Sequence, residues 1–206
     1  DFDTKGANVT SDPYFGKKIA GGRYVSGEGS YIEHIGDHYY LFMSYGGLEP
    51  NGGYEMRVFR SSRPDGPYKD MNGTDAIFTS WKLNYGPNED NRGEKLLGAY
   101  NHWGFMNVGE RAQGHNSVLA AEDRRTYLVY HTKFNDGTAG HQVRVHQLFL
   151  NRSGWPVAAP FEFHGETTGD RQIASSQRFD SKEVAGRYHV LTHPYEQNHA
   201  AYEEAA

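Results

Sequence analysis

The chain has 206 residues, 25 glycines, 15 tyrosines, no cysteine and a formal net charge of -5. The missing cysteine excludes a disulfide framework and thiolate chemistry, and the acidic balance without a basic stripe argues against a nucleic-acid partner. No run approaches the ~18 apolar residues of a spanning helix, so no membrane partner is expected.

The glycine and tyrosine content fits an all-β protein rich in turns. The sequence begins at Asp1 without a methionine, and no signal peptide is visible, so we expect a processed chain or a piece of something longer. In chain order the first strand signal is GEGSYIEHI from Gly27, where the acidic Glu28 stands between two glycines just ahead of a dense apolar stretch. A tight GD turn leads into HYYLFMSY, and a glycine-bearing loop into YEMRVFRS. A fourth strand is expected near AIFTS. Residues 80–113 show little strand alternation and read as a long connection. The same order then returns as GHNSVLAAE, RTYLVYHT and QVRVHQLF, with a fourth strand expected near VAAPF.

The return is a true repeat. At an offset of 87 (115 − 28), Gly27, Ser30, Tyr40, Leu41, Gly53, Arg57 and Val58 meet Gly114, Ser117, Tyr127, Leu128, Gly140, Arg144 and Val145, seven identities in 32 ungapped positions. Four antiparallel strands, repeated, are the signature of propeller blades; a β-sandwich with two similar hairpins is the alternative. In a propeller the first strand of each blade is innermost. Glu28 and His115 hold the same position in the two repeats, so both should converge on the central channel. Polar groups there are expensive unless they hold water, a metal or a substrate. Ionisable groups of different type at equivalent positions therefore point to a site.

Other candidates carry two readings each. His115 is one of 11 histidines, and a satisfied core histidine competes with a ligand. Arg144 and His146 share one strand face, as a polar rim, a channel lining or a substrate contact. Arg57 at the equivalent place of the first repeat favours a structural role for the arginine pair. Tyr100, Trp103 and Phe105 in the long connection suit either packing or a platform on which sugar rings stack.

The segments EGSYIEHIGDHYYLFMSYGG, RSSRPDGPYKD, GHNSV, YLVYHTKF and HQVRVHQLFLNRSGWPVAAPF together resemble the arabinanases of glycoside hydrolase family 43. The likeness spans about residues 20–165 and corresponds to the last two blades of a five-bladed propeller. It implies hydrolysis of α-1,5-linked L-arabinan, or of arabino-oligosaccharides, with inversion. It also implies that Glu28 is the general acid and that His115 helps hold a metal, usually calcium, in the channel beneath the sugar. The family's aspartate base and its second, acid-tuning aspartate belong to earlier blades. No motif here matches either, and Asp37, Asp65 and Asp70 do not fill the gap.

From this we expect residues 1–179 to form C-terminal blades of the catalytic propeller. Residues 180–206, with the strand-like FDSKEVAGRYHVLTH at the junction, are expected to begin a small β-domain. Two blades cannot close a propeller, so a complementary N-terminal chain from the same precursor is the expected partner. Secretion or a periplasmic location is the expected setting. An exo-arabinosidase, a β-xylosidase and a noncatalytic carbohydrate-binding propeller are the rival functions.

Overall fold

The computed structural model describes residues 16–22, 27–50, 52–78, 92–98, 107–122, 125–165, 182 and 185–186. Tyr100, Trp103 and Phe105 lie outside the described residues, as does nearly all of the expected C-terminal β-domain.

Among the described residues the architecture is all-β. Strands β1 (Glu28–Ile35), β2 (His38–Tyr45), β3 (Glu55–Ser61) and β4 (Glu94–Leu97) form one four-stranded antiparallel sheet in sequential order. Strands β5 (Glu110–Ala120), β6 (Thr126–Phe134), β7 (Gln142–Leu150) and β8 (Pro156–Ala158) form a second with the same topology. The repeat in the sequence is thus a repeat of sheets. Tyr39 faces Ser61 across β2–β3, and Thr126, the equivalent of Tyr39, faces Leu148, the equivalent of Ser61.

The two sheets stack through a shared apolar layer. Tyr40, Phe42, Met56, Val58 and Leu97 from the first meet Val118, Leu128, Tyr130 and Leu148 from the second. A second layer, with Leu41, Met43, Tyr45, Phe59, Tyr68, Ala76 and Phe78, covers the opposite face of the first sheet. This explains why β2 reads as a nearly continuous apolar run: both of its faces are buried, and alternation is lost. Each fully buried aromatic or aliphatic side chain there contributes about 1.5–3 kcal/mol. On and beside the second sheet, Leu119, Val143 and Phe161 are exposed among the described residues. Polar staples cross the junction: Tyr40 donates to the Gly154 carbonyl, Arg60 Nη1 donates to the Ser153 carbonyl at 2.8 Å, and its guanidinium lies 4.5 Å over Trp155.

Two expectations need correction. The fourth strand of the first sheet is Glu94–Leu97, not AIFTS. Ala76 and Phe78 alternate because both are buried against the second apolar layer; their backbone pairs with Gly21, at 3.0 Å on each side, outside the sheet ladder. Residues 80–113 are accordingly not one connection, since they contain β4 and the first residues of β5. Charge hides β4 in the sequence. Lys95 meets Glu55 at 3.1 Å and Glu94 accepts from the Met71 amide at 2.8 Å, so polar residues fill positions where a strand signal would need apolar ones. The last strand signal holds better, with β8 at Pro156–Ala158 overlapping the start of VAAPF.

Candidate active site

Glu28 opens β1 and His115 lies within β5, and the local backbone is irregular at both. Pairing between β1 and β2 slips between Glu28 and Tyr31, where Gly29 takes φ +57°. Pairing between β5 and β6 slips twice, on either side of Gly114, with Ala112 at φ 54° and His115 at φ 51°. Bulges of this kind re-aim side chains. A left-handed backbone at a non-glycine residue costs about 1–3 kcal/mol and marks places worth a functional question. Gly29 also permits a close approach, because a Cβ there would lie 2.9 Å from the His115 Cα.

The result brings the two residues together. His115 Nδ1 stands 4.0 Å from Glu28 Oε1, with side chains 59% and 56% exposed, so both are open to a ligand in water. Behind them lies a buried layer. Tyr54 donates to Glu28 Oε1 at 2.6 Å, and the backbone N–H of His115 donates to Ser44 Oγ at 2.7 Å. Ser44 also hydrogen-bonds to the Tyr54 hydroxyl. Burial, and next the Glu28 carboxylate to which it donates, hold the Tyr54 phenol well above its usual range, so it remains a donor. The His131 ring lies against Tyr54 with centroids 5.7 Å apart and planes at 25°, and meets His141 edge-on at 4.8 Å. Burial, then the neighbouring His141 and His115 rings, push His131 below the ordinary histidine value, with Glu28 opposing.

Tyr54, Ser44, His131 and His141 were absent from the sequence-level candidates, yet the repeat contains them. At the offset that pairs Glu28 with His115, Ser44 pairs with His131 and Tyr54 with His141. Three non-identical polar pairs at one offset converge in space. Their clustering was the available signal.

The arginines behave as a pair of fixtures. Arg57 is fully buried, with Nε donating to Glu55 Oε1 at 2.6 Å and Nη1 to the Gly93 carbonyl at 2.9 Å. Arg144, its equivalent, is held by Glu110 at 3.2 Å and Glu162 at 3.4 Å, over the Phe134 ring. His146 is buried with Nδ1 2.7 Å from the Ala159 carbonyl. These contacts account for Arg144 and His146 within their own sheet.

Two stacked four-stranded meanders, with their first strands side by side and ionisable groups at the strand starts, define a partial β-propeller with a candidate hydrolytic site. The chain belongs to family 43 of the glycosyl hydrolases, whose sequence profile matches residues 4–156. It is 40% identical over 192 residues to the extracellular endo-α-(1→5)-L-arabinanase 2 of Bacillus subtilis (strain 168), covering 87% of this chain and 38% of that protein. It is 38% identical over 189 residues to the extracellular endo-α-(1→5)-L-arabinanase of Thermotoga petrophila, covering 87% and 37%. Among solved structures, a family 43 glycoside hydrolase from Bacillus licheniformis superposes with TM-score 0.76 and 35% identity, over 91% of this chain and 42% of that one. The Thermotoga petrophila endo-1,5-α-L-arabinanase superposes with TM-score 0.73 and 36% identity, over 89% and 39%. The chain thus spans less than two fifths of the length of these two curated relatives.

Proposed function

We propose that this chain carries the acid half of the active site of an inverting glycoside hydrolase that cleaves α-1,5-linked L-arabinan. The observation that carries the reading is the solvent-open Glu28 carboxylate beside His115, at equivalent positions of two stacked sheets. The relatives named as extracellular endo-arabinanases support both the substrate and secretion. In this reading the whole fold is a five-bladed propeller, and the aspartate base and the tuning aspartate stand on blades outside these 206 residues.

The chemistry asked of Glu28 is proton donation. Its carboxyl proton passes to the glycosidic oxygen as the bond to the anomeric carbon breaks. A water molecule, relieved of its proton by the base, attacks from the opposite face, and the two carboxyl groups lie roughly 6.5–9.5 Å apart to admit it. Linear arabinan given to the complete propeller should yield a ladder of arabino-oligosaccharides, with the β-anomer appearing first by proton NMR. Arabinose as the sole early product would replace endo action by exo action. Binding of arabinan without cleavage would overturn the hydrolytic reading.

Calcium in the channel, held in part by His115, belongs to the same proposal. Calcium takes about 6–8 oxygen ligands. His115 offers an exposed imidazole, and no group of three His, Cys, Asp or Glu side chains among the described residues is arranged to hold a metal. That donor set fits an ion coordinated mainly by water. With His115 as its protein ligand, a bound cation would supply positive charge to order water in the channel. His115→Ala should reduce the calcium content of the purified complete protein by elemental analysis, whatever its activity. Undiminished calcium in the variant, or stoichiometric zinc in the parent, counts against the assignment.

A further inference from the structure

The hydrogen bonds behind Glu28 run in one direction. The backbone N–H of His115 donates to Ser44 Oγ at 2.7 Å, Ser44 donates its proton to the Tyr54 oxygen, and Tyr54 donates to Glu28 Oε1 at 2.6 Å. The Tyr54 hydroxyl has one proton to give, and while it goes to the Glu28 carboxylate the contact with Ser44 is a donation from Ser44. Oε1 of Glu28 is held as an acceptor by Tyr54, which leaves Oε2 as the oxygen to carry the carboxyl proton.

Tyr54 is also mechanically held. Its side chain is buried, its ring stacks on His131, and it fills the space beside Gly114, where a Cβ would come within 2.2 Å of the ring. Ser44 is fully buried and faces Glu28 across the β1–β2 ladder. By contrast, the Glu28 side chain is more than half exposed. The group that must be aimed is the exposed one, and the group it leans on is buried.

We propose that Tyr54 is the positioning residue for Glu28, with Ser44 setting the direction of its hydroxyl, so that proton transfer to the leaving oxygen is made from Oε2. Tyr54 touches neither substrate nor reacting atoms; it acts through the carboxyl group. The inference rests on the reading of Glu28 as the acid, and it extends that reading to which oxygen works and what aims it. Orientation of this kind is worth a great deal, since a displacement of about 1 Å can cost about a hundredfold in rate.

The test is Tyr54→Phe in the complete propeller, which keeps the ring, its stacking and its volume. On linear arabinan, whose leaving alcohol needs the acid, kcat should fall about ten- to a hundredfold with KM changed by less than about twofold. On an aryl arabino-oligoside with a good leaving group, kcat should fall less than about threefold, because little protonation is required. Equal losses on both substrates would mean that Tyr54 merely supports the fold and would overturn the proposal, as would unchanged turnover of arabinan. Glu28→Gln, run in parallel, separates the two levels: if it leaves arabinan turnover intact, the acid assignment is at fault and this inference goes with it. Should Tyr54→Phe fail to fold by circular dichroism, Ser44→Ala takes its place. It should show the same substrate-dependent loss, several-fold in size, and a uniform loss or none would overturn the proposal.

Discussion

Glu28→Gln in the complete propeller should fold normally and lose about 100- to 10,000-fold in turnover of linear arabinan, the span that general acid catalysis supplies. Normal folding is expected because the Glu28 side chain is more than half exposed and the amide oxygen can still accept from Tyr54 at the position of Oε1. The loss is expected because an amide has no proton of suitable acidity for the departing oxygen. An aryl arabino-oligoside with a good leaving group should be cut with a much smaller loss, since its leaving group departs as a stable anion. Affinity for arabinan, measured by calorimetry on the inactive variant, should be close to that of the parent. Near-parental turnover of arabinan by the Gln variant would remove Glu28 from the mechanism.

The largest stability effect is expected one residue past Tyr54. Glu55 and Arg57 are each 1% exposed at the side chain and meet at 2.6 Å, and Lys95 approaches Glu55 at 3.1 Å with its stem lying along Gly98. Glu55→Ala leaves a buried guanidinium and a mostly buried ammonium without their shared carboxylate, which costs about 3–5 kcal/mol. Glu55→Gln, which preserves an acceptor for Arg57 Nε, should cost less. Urea denaturation of the complete protein measures both. A loss below about 1 kcal/mol for the Ala variant would show that water replaces the carboxylate, as it does for surface pairs. Lys95 is on β4, so the same variant should loosen the strand that local sequence signals failed to reveal.

That failure is instructive about what local patterns report. AIFTS looked like a strand because Ala76 and Phe78 are buried at alternate positions, and burial is what alternation records. Membership of a ladder is a separate matter, decided by which backbone edge is free. The β3 edge was taken by Lys95 and Leu97, whose sequence neighbourhood is polar. The site shows the same division. Tyr54 and Ser44 look like ordinary strand residues, and each becomes part of the candidate site only through packing. Ser44 does so through the pairing that sets it opposite Glu28, and Tyr54 through the glycine loop that closes between Gly47 and Gly52 and returns the chain beside Gly114.

The repeat at an offset of 87, the first three strands of each sheet and the equivalence of Glu28 and His115 were all legible before any coordinates, because they follow from side-chain periodicity and turn residues close together in the chain. The family membership was legible too, through motifs that stay contiguous. The separation of 4.0 Å between the acid and the histidine, the relay through Ser44 and Tyr54, and the buried pair beneath them came from the tertiary structure. The third lies within β3 but owes its burial to what packs over it. The first two join residues from different elements or different sheets. Their distances depend on bulges at Gly29 and Gly114 and on the stacking of two apolar faces, and a pattern read along one strand carries no information about either.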